Sequence, residues 1–159
     1  DYKIKSQIEL VLSEMAEQVA IRLRRIKKKA KSVHIHISYS RIENKKSINA
    51  SKKINPTQST KQLTDYVLEL FRDKYDGGAV RSIAVRYDNL VDDNLTIYTL
   101  FDDIEAIEKQ RKIDKTLDSI RDKYGFLSIQ NGSILMEGSR IKERSKLVGG
   151  HAGGMDGMV

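Results

Sequence analysis

The chain has 159 residues, 39% of them apolar and 32% charged, enough to bury the core of one domain with an extension and too apolar for disorder throughout. It has no cysteine, which excludes disulfides and thiolate metal sites and suits a reducing compartment. No apolar run approaches the ~18 residues that span a bilayer and no signal segment opens the chain, so we expect a cytoplasmic protein with no membrane partner.

Lys and Arg number 29 against 22 Asp and Glu, a balance of +7, and the surplus is unevenly placed. Residues 1–60 hold 14 basic and 5 acidic side chains, 61–100 hold 5 and 7, and 101–159 hold 10 and 10. Clustering of this kind is the footprint of phosphate contact, although a solvated surface gives the same count.

From Ser6 onward, Ile8, Leu12, Met15, Val19, Leu23 and Ile26 recur at spacings of three and four, which predicts an amphipathic helix. Ser6 and Glu9 have the spacing of a capping box. The basic run Arg22, Arg24, Arg25, Lys27, Lys28, Lys29 and Lys31 complements the negative pole at the helix end.

Residues 33–40 alternate, with Val33, Ile35, Ile37 and Tyr39 on one face of a strand and His34, His36, Ser38 and Ser40 on the other. A polar turn at 41–44 leads to a second strand. There Ile48, Ala50 and Ile54 point inward, Ser47, Asn49, Ser51 and Lys53 point outward, and Lys45, Lys46 and Lys52 lie close by. Pro56 is expected to block strand continuation, and the hydroxyls around it can cap a second helix marked by Leu63, Val67, Leu70, Phe71 and Tyr75 and ended by Gly77-Gly78. Residues 79–87 read as a third strand with Ile83 and Val85 inward, Ser82, Ala84 and Arg86 outward, and Arg81 at its edge.

Helix, strand, strand, helix, strand is most of a ferredoxin-like βαββαβ unit, an α+β fold with an antiparallel sheet and two helices on one face. The opening strand is missing, since residues 1–5 are short for one. Either the sheet has three strands or another chain, such as a second copy in a homodimer, completes its edge. The other face is bare, polar and basic, and is expected to meet a polyanion.

Further on, residues 95–101 read as a short strand or extended arm. Ile113, Leu117, Ile120 and Tyr124 mark a third helix closing at Gly125, and 126–136 has no clear period. This divides the chain into a domain at 1–101, a partly helical extension at 102–148 and a flexible glycine-rich tail at 149–159.

No catalytic constellation emerges. His34 and His36 project together from one strand, but a third metal ligand is lacking, as His151 sits in the tail. Asp92-Asp93 and Asp102-Asp103 are carboxylate pairs of the kind used in metal-dependent phosphoryl transfer, yet they fall in turns and read as solvated. We therefore expect no metal and no cofactor in this chain. Stand-alone modules that bind single-stranded nucleic acid stack bases on exposed aromatics. The outward positions here hold none, since Tyr39 and Tyr87 fall on the inward set. A basic protein-docking domain is the remaining alternative.

Several stretches in order carry a family resemblance: residues 14–20 (EMAEQVA) leading to Arg22-Leu23-Arg24, then 33–36 (VHIH), 79–85 (AVRSIAV), 100–103 (LFDD) and 144–151 (RSKLVGGH). Together they resemble the C-terminal part of a UmuC-type Y-family translesion DNA polymerase, in particular the UV-damage-repair polymerases of Gram-positive bacteria, their plasmids and phages.

The resemblance implies a little-finger domain that lays its sheet across primer-template duplex DNA. It places Arg81, Ser82, Arg86, His34, His36, Ser38, Ser47, Asn49, Ser51 and Lys53 at the backbone, with Lys45 and Lys46 beside them. The family often has a second basic residue where this chain has Ser82. Catalysis, with its Mg2+, would lie in a palm domain outside these residues, making the polymerase core a partner and the parent protein an agent of SOS damage tolerance. The chain begins at Asp1, so the resemblance implies a piece of a longer protein whose first little-finger strand lies before the cut. Leu100-Phe101 sits where the family can carry a sliding-clamp peptide, though the upstream glutamine of that motif is absent.

Overall fold

The computed structural model describes residues 1–94, 96–148 and 151–152, with Leu147, Val148, His151 and Ala152 described through their backbone alone. The first apolar stripe forms α1 (Lys5–Arg25), which buries Ile8, Leu12, Ala16, Ala20 and Leu23 in the core. The helix begins ahead of Ser6. Ile4 occupies the cap position, no side chain caps it, and Glu9 is turned instead toward Arg72, accepting from Nε at 2.8 Å and Nη2 at 3.1 Å.

The basic run is split between two elements. Ile26 and Lys27 turn the chain, Lys27 at φ 55°, and Lys28, Lys29 and Lys31 belong to β1 (Lys28–Tyr39). The early start of the strand follows from its partner β4 (Val91–Asp92), which pairs with Lys28 and Lys29 and gives their backbone a sheet ladder.

β1 is the central strand, antiparallel to β2 (Ile48–Thr57) on one side and to β3 (Val80–Asp88) on the other. β2 runs through Pro56 rather than stopping before it. It is an edge strand whose register slips between Ala30/Thr57 and Ser32/Lys53, so the missing N–H falls at a ladder irregularity.

α2 (Thr60–Lys74) is capped by Ser59, whose Oγ accepts from the Gln62 N–H at 3.3 Å, and it buries Leu63, Val67 and Phe71 completely. It ends at Lys74, where Tyr75 turns extended two residues ahead of the glycine pair. α1 and α2 pack together over Val33, Ile35, Ile37 and Tyr39. The Tyr87 hydroxyl donates to Ala16 O at 2.9 Å, tying β3 to α1. The opening residues also join the sheet: Tyr2 and Val80 exchange N–H···O bonds of 2.8 Å in both directions, at β3.

Among the described residues of 95–101 there is no strand. Asp103 caps α3 (Ile104–Tyr124) by accepting from the Ala106 N–H at 3.1 Å, and Gly125 closes the helix as expected, at φ 98°. Burial within α3 is different from the expected pattern. Asp114 and Arg121 are its buried residues, whereas Ile113 and Tyr124 are exposed.

The reason is the partner surface. The rear of α1 is polar, with Glu14 and Gln18 buried, and the residues after 102 dock there through charge-assisted hydrogen bonds. Arg121 Nη2 donates to Glu17 Oε1 at 3.1 Å, Arg144 Nε donates to Gln18 Oε1 at 3.1 Å, and Glu14 accepts from the Ser139 hydroxyl and from the Arg140 N–H.

A small second core of Ile21, Phe126 and Ile141 fills the centre of this seam, Ile141 coming from α4 (Ile141–Arg144). Gly138, at φ 96°, passes so close to α1 that a Cβ there would lie 2.8 Å from Gln7 Cγ. The backbones of β5 (Leu147–Val148) and β6 (His151–Ala152) pair with each other. The rest of the glycine tail lies outside the described residues. No helix among the described residues is long and apolar enough to cross a membrane.

Candidate nucleic-acid interface

With both helices on one side, the opposite face of the sheet is left open. Register arranges its side chains in rows: Ser51, His34 and Arg86 in one, Asn49, His36 and Ala84 in the next, Ser38 beside Ser82, and Lys53, Ser32 and Asp88 at the far end. One irregularity matters. Between the pairs Ser38/Ser82 and Tyr39/Val80, β3 holds the extra residue Arg81, a bulge that leaves Arg81 and Ser82 both exposed.

The rows are knitted by short polar contacts. His36 Nδ1 lies 2.7 Å from Asn49 Oδ1, Ser38 Oγ lies 2.5 Å from Ser82 Oγ, and His34 Nε2 lies 3.1 Å from Ser32 Oγ. His34 Nε2 also stands 2.9 Å from Asp88 Oδ2, the same oxygen that accepts from Arg86 Nε at 2.9 Å. Lys53 and Arg81 are exposed and form no ion pair among the described residues. The face thus offers N–H groups, hydroxyls, cations and one carboxylate, that of Asp88, and its outward residues include no Phe, Tyr or Trp.

Not every expected residue joins it. Ser47 and Lys46 lie exposed just ahead of β2. Lys45 is drawn to the loop between α2 and β3, donating to Asp76 Oδ1 at 2.8 Å and Gly77 O at 2.9 Å, with its ammonium 5.5 Å from the Tyr39 ring. The hydrogen bond with Asp76 pushes the lysine pKa up and the aspartate pKa down. Ser40 follows the end of β1 and is buried, its N–H bonded to Ala79 O. Lys52 points to the helix side, where it pairs with Glu69 at 2.9 Å.

His34 and His36 contact Asn49, Ser32 and Asp88, and no group of three metal-ligating side chains comes together among the described residues. Three of these four carboxylates have structural partners: Asp92 pairs with Lys28, Asp102 accepts from the Thr99 N–H, and Asp103 caps α3. Ser32 and Asp88 are residues of the open face that sequence reasoning missed. The signal was present, since extending the alternation of residues 82–86 by one step brings Asp88 outward.

Residues 1–100 match the model of the impB/mucB/samB family C-terminal domain. The chain belongs to this family. Its relatives include UvrX of Bacillus subtilis strain 168, named for UV-damage repair and 34% identical over 152 residues. The DNA polymerase IV 2 proteins of Halalkalibacterium halodurans and of Bacillus subtilis are 28% and 27% identical to it. Each match covers 95% of this chain and 36% of the relative, so the chain spans about a third of their length. It corresponds to the C-terminal region of Y-family polymerases.

At the C-terminal limit of the impB/mucB/samB match lies an apolar pair. Leu100 is 100% exposed and Phe101 97%, on a turn closed by the Asp102 N–H to Thr99 O bond. Expected either as a docking peptide or as packing on the domain edge, the pair is unpacked among the described residues.

Proposed function

We propose that the open sheet face grips the backbone of primer-template duplex DNA, independently of sequence, as the little finger of a cytoplasmic translesion DNA polymerase. The observation that carries this reading is the composition of the face. Three strands present hydroxyls, amides, imidazoles and cations in register, with no large aromatic on which a base could stack. Such contacts position a protein on many sequences and read none, which suits a distorted template.

The named relatives are a UV-damage repair protein and DNA polymerases, and they supply the setting. In this reading the chain holds DNA while polymerisation is carried out by the remaining two thirds of the parent protein. The unpacked Leu100-Phe101 pair is the contact to the sliding clamp, and the outer edge of β3 beyond Val80 is where a second copy would pair in a homodimer.

Fluorescence anisotropy with primer-template duplex and with single-stranded DNA, across a salt series, tests the reading. Duplex binding is expected to win. Arg81→Ala with Arg86→Ala should weaken it and flatten log K against log salt by about 1.8, at ~0.9 per phosphate contact. Preference for single strands would favour a stacking module instead, and absence of binding to either would leave a basic protein-docking domain.

A further inference from the structure

Asp88 closes the outward row of β3, opposite Ser32 of β1. Among the outward residues of the three strands it alone carries a negative charge. Its Oδ2 stands 2.9 Å from Arg86 Nε and 2.9 Å from His34 Nε2. Arg86 bends along its own strand to donate to this oxygen, while the imidazole of His34, whose Nε2 is hydrogen-bonded with Ser32 Oγ, stands within ion-pair distance of it.

These groups meet at the surface, with the Arg86 side chain 68% exposed and that of Asp88 36%. A single charged oxygen bonded to a guanidinium and standing beside an imidazole takes the place that a backbone phosphate oxygen would occupy.

We propose that Asp88 is an internal stand-in for phosphate: in the free protein it occupies Arg86 and His34, and a DNA phosphate must displace it. The inference rests on the DNA-binding reading above and adds its regulation. The opposite role, in which Asp88 steers Arg86 onto the phosphate, is disfavoured by geometry. Nε is pulled toward the end of the strand, and among the described residues Arg86 has no other hydrogen bond that would hold its remaining nitrogens toward a ligand. A carboxylate left beside an arriving phosphate also repels it. Because the pair is exposed, the block is weak. It lowers affinity several-fold and leaves the face open to a continuous backbone that brings many contacts at once.

A mutant cycle on the 159-residue chain tests this, with duplex anisotropy as the readout. The four proteins are wild type, Asp88→Asn, Arg86→Ala with His34→Ala, and the combination of all three. Asp88→Asn keeps size and removes charge. It is expected to tighten duplex binding about fivefold at low salt, the scale of an exposed ion pair. In the background lacking Arg86 and His34 the same change should gain less than about twofold, because nothing is left to release.

Equal gains in both backgrounds would reduce Asp88 to general repulsion and overturn the proposal. Unchanged or weaker binding by Asp88→Asn would overturn it in favour of a steering role. In both cases wild-type binding that falls with salt keeps the DNA-binding reading intact. Failure of wild type and Asp88→Asn alike to bind duplex would bring down that reading and this one together.

Discussion

Arg24 on α1 donates from Nε and Nη2 to the two carboxylate oxygens of Asp118 on α3, at 2.6 and 3.0 Å. Its remaining nitrogen, Nη1, reaches Gln58 O and Thr60 Oγ1, both at 2.9 Å, and stands 3.6 Å from Asp114. One side chain therefore joins α1, the entry to α2 and α3. Arg24→Ala strands two carboxylates at a largely buried seam and is expected to lower the unfolding free energy by about 3 kcal/mol, measured by urea denaturation. Arg24→Lys keeps the charge and loses the fork, so about half that loss should remain.

This seam also marks where the sequence stops being informative. The sheet, α1 and α2 bury alternating or three-four-spaced apolar residues such as Ile35, Ile37, Leu63 and Phe71, and periodicity reports them directly. α3 docks instead through Asp114, Asp118 and Arg121, residue types that predict solvent, so its apolar positions pointed to the wrong face. The same holds on the open face. Alternation identifies His34, His36, Ser38, Asn49 and Arg86 as outward, but the bulge at Arg81 and the approach of Asp88 to His34 depend on pairing between strands far apart in the chain. The tie of Lys45 to Asp76, 31 residues away, is likewise invisible to local pattern.

The pair joining α1 to α2 predicts a pH dependence. The hydrogen bond from Arg72, aided by its charge, holds the Glu9 carboxyl below its usual pKa despite partial burial. The unfolded chain then binds more protons in acid, so this stabilisation is complete above the ordinary carboxylate pKa and is lost as pH falls through the depressed value. Asp114 runs the other way. Burial raises its pKa against the pull of Arg24, so its penalty on the folded state is full at neutral pH and is relieved as pH falls through the raised value. Urea midpoints of Glu9→Gln and wild type should therefore differ at pH 7 and converge at the acid end of a pH series, below the depressed Glu9 value.

Two lysines near β2 should separate cleanly. Lys53 stands outward on the open face without an ion pair among the described residues, whereas Lys45 is tied to Asp76 and Gly77. If the open face meets DNA phosphates, Lys53→Ala should flatten the salt dependence of duplex binding by about 0.9 and act alike on all sequences. Lys45→Ala should leave that slope unchanged and instead raise amide exchange around Gly77 and Gly78, the loop its ammonium anchors. A loss of slope on Lys45→Ala equal to that of Lys53→Ala would place the interface further toward the α2–β3 loop than the sheet face implies.

Leu100 and Phe101 give the sharpest division between folding and docking. Both side chains are exposed almost completely, so Leu100→Ser with Phe101→Ser removes no packed surface and should change the unfolding free energy by no more than about 0.5 kcal/mol. Exposed apolar pairs on a tight turn are the kind of anchor that fills a pocket on a partner, where aromatic anchors dominate affinity. Binding to an immobilised sliding clamp, measured by surface plasmon resonance, should fall at least about tenfold in the double variant, the scale of losing one anchor. Binding to primer-template duplex should stay as in wild type, because neither residue belongs to the strands that build the open face. Unaltered clamp binding with unaltered stability would leave the pair without a role in docking, and a large fall in stability would mean that the turn packs in solution.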